Sequence, residues 1–301
     1  MGVKEWLMLI ILSILWGGSF FFVEVILQDL AALTIVTLRL LLATFVLWGV
    51  ALYLNLQVPK SAKIWLAFLV MGLLNNAIPF TLIVWGQTQI ASSLASILNA
   101  AMPFFTVIVA GLWLADERVG TLKIIGICIG FSGVVLMIGL PTNSNMTTVI
   151  AQLAVLGAGL SYAFASAYGR RFQAMTISPI ILAAGQTSTS SLLMLPIAYS
   201  VDGAPIMGNW SIETILSIIA LAVLSTAVAY VLYFKILSSA GAVNISLVTL
   251  LVPISAILLG VVILNETITT IHLLGLSMIA LGLSAIDGRL WRSKQDNSSF
   301  D

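Results

Sequence analysis

The sequence predicts an all-α membrane protein with ten transmembrane helices in two inverted five-helix repeats and both termini cytoplasmic. Three observations predict it. First, 60% of the 301 residues are hydrophobic and 8% charged, with a mean hydropathy of +1.15. A soluble domain commonly carries about a quarter charged residues, so this chain needs lipid as its solvent. Second, the 12 basic residues are sorted to one side. Lys4, Lys60, Lys63, Arg118, Lys123, Arg170, Arg171, Lys235, Arg289, Arg292 and Lys294 all fall in alternate connections between apolar stretches, and only Arg39 lies within a stretch. Basic residues are retained on the cytoplasmic face, and one miscounted span would scramble that order. Third, the second half of the chain echoes the first at an offset near 150 residues.

The predicted spans, in order, are 6–27, 31–54, 64–85, 90–114, 121–140, 149–169, 178–199, 212–234, 240–264 and 268–287. Each reaches the 20 or so residues that cross a hydrocarbon core of about 30 Å. Helices are the natural choice because backbone amides in lipid must be satisfied within the segment. The first stretch follows Lys4 and lacks a small-x-small cleavage site, so it reads as a retained helix rather than a signal peptide. The second carries Arg39, the third Asn75, Asn76, Pro79 and Phe80, and the fourth Asn99 and Pro103. The fifth holds Gly126, Gly130 and Gly133 with the lone Cys128, which reads as a buried packing residue. A short external linker, 141–148, joins the halves. Tyr162 lies in the sixth span, Gln186 in the seventh, Ser225, Thr226, Tyr230 and Tyr233 in the eighth, and Pro253 in the ninth. The tenth contains His272, and the polar tail 291–301 is expected to be disordered.

The repeat is visible residue by residue. Pro103 and Pro253 are 150 apart, as are Phe80 and Tyr230, and Asn75 and Ser225. Trp16 matches Tyr162 at 146 and Arg39 matches Gln186 at 147. Gly126 and Gly133 match Gly275 and Gly282 at 149, and each proline-bearing span precedes an acidic loop, Asp116-Glu117 or Glu266. The units are therefore 1–140 and 149–290. Five helices is an odd number, so the second unit starts on the opposite side and is inverted. Inverted repeats are a recurring transporter design, in which two copies of one shape exchange conformations about a central site.

The run Leu15-Trp16-Gly17-Gly18-Ser19-Phe20 resembles the opening of EamA-type members of the drug/metabolite transporter superfamily. So do Leu38-Arg39-Leu40-Leu41-Leu42-Ala43, Pro103, Ala229-Tyr230-Val231-Leu232-Tyr233-Phe234-Lys235, Pro253 and Asn265-Glu266. The resemblance covers roughly residues 6–287 and rests on the order, spacing and duplication of these motifs. It implies a central cavity lined mainly by helices 1–4 and 6–9, with helices 5 and 10 peripheral. It also implies export of metabolites, amino acids included. The doubled acid of the first-half loop departs from its single counterpart Glu266.

Polar groups at membrane depth are costly to bury unpaired, which makes them informative. Asn75, Asn76, Asn99, Gln186, Ser225 and Thr226 suggest a neutral hydrogen-bonding lining, against the alternative of interhelical bonds worth about 0.6 kcal/mol each. Trp16, Phe80, Trp85, Tyr162, Tyr230 and Tyr233 suggest aromatic walls able to hold an ammonium group, against core packing or, for Trp85, an interfacial belt. Pro79, Pro103 and Pro253 are candidate hinges. Glu24 and Arg39 lie at matching depth and read as an ion pair, with two alternatives: Arg39 receives a substrate carboxylate, or Glu24 carries a coupling proton. Asp116, Glu117, Glu266 and Asp287 sit at helix ends and are expected to be solvated. Gly126 and Gly130 form a GxxxG pattern that fits close packing within the monomer or at a dimer contact.

No convergent nucleophile or acid–base set favours an intramembrane enzyme, the loops offer no receptor or scaffold surface, and no charged ring suggests an ion channel. The expected function is export of small neutral or zwitterionic metabolites, amino acids foremost, with other organic solutes or drugs as the alternative. The expected partners are a small-molecule substrate and inner-membrane lipid, with no nucleic acid, metal or cofactor. The chain is expected to be a monomer or a weak homodimer.

Overall fold

The computed structural model describes residues 2–114, 120–139, 146–204, 210–245 and 247–288. The expected positions of Asp116, Glu117, Arg118, Arg289, Arg292, Lys294 and the tail 291–301 fall outside these residues. The described helices are α1 (Val3–Ile26), α2 (Ala32–Tyr53), α3 (Ala62–Gln87), α4 (Ser92–Trp113), α5 (Thr121–Ile138), α6 (Met146–Gly169), α7 (Pro179–Val201), α8 (Ile212–Ala240), α9 (Val248–Ile263) and α10 (Thr270–Asp287). Among the described residues nine of these are long and apolar enough to cross a membrane, and α9 is a shorter apolar helix. The ninth span, expected as one run over 240–264, is instead a single turn, Ala242–Ile245, followed by α9. The helix α4 is interrupted too: Ser92–Asn99 is followed by a turn at Ala100 and Ala101, and Met102–Trp113 completes it.

Each third helix of a half contains a wide turn. In α3 the π-helical segment is Leu73–Ala77, and in α8 it is Val223–Val228, so their starts are 150 residues apart. A π turn inserts one residue into the helical ladder and frees backbone carbonyls. Ser161 of α6 donates its hydroxyl to the freed Leu74 carbonyl at 2.7 Å, and Thr226 donates to the Leu221 carbonyl at 2.9 Å within its own turn. Pro79 and Pro103 are each the second residue of the helical segment that follows an irregularity, where a missing amide hydrogen is tolerated. Pro253 lies inside α9, which continues through it.

The helix packing is nearly unchanged when the halves are exchanged. The helix α1 packs on α8 and α9, as α6 packs on α3 and α4; α2 packs on α7, α4 on α9, and α5 on α10. The helices α5 and α10 form a peripheral pair, with 28% of each span buried against roughly half for most others. Glycines let the pair come close. A Cβ at Gly126 would press on the Gly282 carbonyl at 2.5 Å, and one at Gly133 would press on the Gly275 carbonyl at 2.7 Å. Gly130 faces the ring of Phe104. The Gly126–Gly130 pattern is therefore occupied by contacts within the chain. Cys128, expected to be buried, is exposed on the outer face of α5.

The distribution of side chains is reversed relative to a soluble protein. Leu52, Leu112, Val135, Leu192 and Val262 lie exposed, while Asn76, Gln186, Ser225 and Thr226 are buried. Water would penalise this arrangement on both counts. A hydrocarbon solvent favours it, because the apolar exterior meets lipid and the polar groups meet one another.

At the end of the bundle opposite the basic connections, three carboxylates tie one half to the other. The Asp202 carboxylate accepts hydrogen bonds from the Thr34 amide (2.7 Å) and hydroxyl (2.9 Å) at the start of α2. The Asp29 carboxylate accepts from the Ser211 amide (2.8 Å) and hydroxyl (2.7 Å), the cap of α8. Glu266 accepts from Ser92 and Ser93 amides at 2.9 and 3.0 Å and from the Ser92 hydroxyl at 2.7 Å, at the start of α4. Gly260 leaves the space that the Glu266 carboxylate fills. Glu266 is thus a helix cap rather than a solvated acid. Each carboxylate sits where orphan amides and the helix dipole both favour negative charge.

Candidate functional site

The two π turns and the middle of α7 bring the polar residues of both halves together. Asn75 donates through Nδ2 to Gln186 Oε1 at 3.3 Å and to the Tyr230 hydroxyl at 3.2 Å. The Tyr230 hydroxyl in turn donates to Asn76 Oδ1 at 2.7 Å. Tyr230 of α8 therefore holds both asparagines of α3 and, through Asn75, reaches Gln186 of α7. The Asn76 Nδ2 and Ser225 Oγ atoms are enclosed and have no partner among the described residues.

Arg39 of α2 extends this cluster. Its Nε donates to Thr226 Oγ1 at 2.9 Å, and its guanidinium lies 3.7 Å over the ring of Phe80. Thr226 Oγ1 can accept because its own O–H donates a hydrogen bond to the Leu221 carbonyl. Tyr162 of α6 lies within electrostatic reach of both Arg39 and Tyr230, at the junction of two apolar clusters. An aromatic strip continues from Tyr230: its ring is 6.4 Å from Phe234, Phe234 is 5.4 Å from Tyr233, and Tyr233 is 5.6 Å from Trp16 of α1.

Three expectations are corrected or separated from this cluster. Glu24 and Arg39 do not pair. Arg39 is taken by Thr226 and Phe80, while Glu24 lies beside Gln87, with Glu266 as its electrostatic neighbour and its Oε2 unpartnered. Matching depth along two helices placed them on different faces. Trp85 is 37% exposed, as Leu66 and Ile78 of α3 are also exposed, and it takes no part in the hydrogen bonds of the network. Asn99 ends the first segment of α4 with an enclosed, unpartnered Oδ1 and makes no hydrogen bond to the network.

Several participants were not singled out from sequence. Phe234 was quoted only within a motif, yet it bridges Tyr230 and Tyr233. Gln87 is buried, donates to the Phe20 carbonyl at 2.9 Å and neighbours Glu24, with its Oε1 unpartnered among the described residues. Trp48 donates to Ser188 at 2.8 Å, fixing α2 against α7. The polar residue within an apolar run was the available signal for Gln87, as it was for Gln186. A separate cleft of about 260 Å³ opens at the basic end, between α4, α5 and α6, with Lys123, Ser166 and Arg170 on its wall. None of the polar network lines it.

Comparison with known proteins agrees with this geometry. The profile of the EamA-like transporter family matches residues 4–139 and again 149–286. The chain is 23% identical to the uncharacterized transporter YoaV of Bacillus subtilis, over 93% of this chain and 96% of that protein. It is 23% identical to a probable amino-acid metabolite efflux pump of Escherichia coli, over 97% and 98% of the two chains. It is 24% identical to the uncharacterized inner membrane transporter YedA of Escherichia coli, over 90% and 87%. A solved crystal structure shares the fold with a TM-score of 0.68 and 16% identity, over 94% of this chain and 97% of that one.

Proposed function

The chain belongs to the EamA-like transporter family, and from that premise we propose that it exports small neutral or zwitterionic metabolites, amino acids foremost, by alternating access. The two halves are inverted in the cell (inner) membrane, with both termini and the basic connections in the cytoplasm. The carrying observation is the polar network at mid-bundle, supplied by α2 and α3 of one half and α7 and α8 of the other. A site shared by two rocking units changes its access when either moves. Its composition supports the substrate class. Amide, hydroxyl and one guanidinium suit a small polar head, and the strip Trp16, Tyr233, Phe234 and Tyr230 suits an apolar or aromatic side chain. One cation at the cluster is poorly matched to a polyanion such as a nucleotide.

Counterflow in proteoliposomes tests this, with labelled phenylalanine, threonine and a nucleoside in parallel. Uptake of either amino acid is expected, and Tyr230→Ala or Asn75→Ala should reduce it about tenfold or more, as loss of buried hydrogen bonds to a bound solute does. Uptake of the nucleoside alone would move the assignment to other organic solutes.

A further inference from the structure

Arg39 is 7% exposed, yet its positive charge has no counterion among the described residues. Its electrostatic neighbours are the phenols of Tyr162 and Tyr230, and Glu24 does not reach it. Only Nε is hydrogen-bonded; the two Nη nitrogens make no hydrogen bond to described residues. Phe80 covers one face of the guanidinium, and the Nη edge is the part of its plane without a hydrogen bond to described residues. A buried, unpaired guanidinium is costly, and proteins normally satisfy one with a carboxylate or backbone carbonyls.

The surrounding groups have the same bias. The Asn76 Nδ2 is an enclosed donor without an acceptor, and Ser225, next to Thr226 in the π turn, has an enclosed hydroxyl without a partner. The acceptors nearby are already used: Asn76 Oδ1 by Tyr230, Gln186 Oε1 by Asn75, and Thr226 Oγ1 by Arg39 itself. Donors are in surplus, the net charge is positive, and the fork geometry of guanidinium fits two oxygens in one plane.

We propose that Arg39 is the receptor for a carboxylate on the transported solute, bound edge-on through its two Nη nitrogens beside the Asn76 and Ser225 donors. The proposal deepens the export reading above and rests on it for the word transported; the binding itself does not. A single carboxylate neutralises the single guanidinium, whereas a phosphate dianion would leave excess negative charge in the low-dielectric interior. The amine and apolar parts of a zwitterion would then lie toward Tyr230 and the aromatic strip.

Isothermal titration of the purified full chain in detergent tests this at neutral pH with matched pairs: L-phenylalanine against L-phenylalaninamide, and 3-phenylpropionate against 3-phenylpropionamide. The acid is expected to bind about tenfold or more tightly than its amide, as loss of a charge-assisted bond predicts. Arg39→Gln should abolish the preference and Arg39→Lys should restore part of it. The proposal is overturned if amides match acids, if Arg39→Gln keeps the preference, if neither acid binds, or if benzyl phosphate binds more tightly than both acids. The acid–amide comparison in the unmodified protein stands even if Arg39→Gln does not fold. Binding of 3-phenylpropionate with refusal of phenylalanine supports the carboxylate receptor and removes the amino-acid assignment. Unchanged phenylalanine counterflow in Arg39→Gln does the reverse.

Discussion

Tyr230 shows how much one side chain does here: its hydroxyl accepts from Asn75 and donates to Asn76, using both of its capacities across the boundary between halves. Tyr230→Phe keeps the ring and removes both bonds, so counterflow should fall while the folded fraction changes little. Collapse of the fold instead would assign the network to structure alone. Glu24 is the other residue whose chemistry is incomplete. Its Oε2 is enclosed and has no hydrogen-bond partner among the described residues. If it couples export to protons, Glu24→Gln should abolish pH-driven flux and spare counterflow; flux that still follows the pH gradient would rule it out. Asp29 lies outside the spans, where hydrogen bonds from Thr214, and from the Ser211 amide and hydroxyl, hold its carboxyl below the usual carboxylate range. A depressed carboxyl stabilises the fold above its unfolded value, about 3.9, and loses that contribution as pH falls through the folded value. The melting temperatures of the native chain and Asp29→Asn should therefore differ by a constant amount at neutral pH and converge below about pH 4.

At the scale of elements, the wide turns of α3 and α8 decide which way the polar residues point. Ser161→Ala would leave the Leu74 carbonyl without its donor, and the expected cost is about 1 kcal/mol in reversible unfolding from detergent micelles. Gly126→Val presses a side chain into the α10 backbone, which should cost about 1–3 kcal/mol, yet leave counterflow per folded molecule intact because α5 is peripheral to the network. The helices themselves were legible in the sequence, since runs of 20 apolar residues with sorted Lys and Arg admit few other readings. The π turns were not. Asn75, Asn76, Ser225 and Thr226 stood out as polar at one depth, but an extra residue in a helical ladder leaves no compositional trace. The face of Trp85 was also hidden, because periodicity carries little information where nearly every neighbour is apolar. The break in the ninth span left no signal that Pro253 could have marked, since the proline lies well inside α9.

For the whole molecule, the repeat noticed in sequence reappears as helix packing that survives exchange of the halves, and the family profile matches both units. The carboxylate caps could not be read the same way. Asp29, Asp202 and Glu266 look like solvated loop acids, and their partners lie 168 to 182 residues away in the chain. All three cross between halves at one end, so they fasten the halves to each other there. Replacing Asp202 and Glu266 together by Ala should raise, several-fold, the labelling of a cysteine placed at Asn75 by an impermeant reagent added from that side, in a Cys128→Ala background. An unchanged rate would mean that packing alone closes it. Each of the three caps sets a carboxylate on neutral amides and hydroxyls, with no lysine or arginine among its partners in the described residues. Ionic strength screens separated charges over about 8 Å but does little to a hydrogen bond in contact. The Asp29 clasp should therefore stay fastened in brine and come loose in acid, so salt and acidity would act on it very differently.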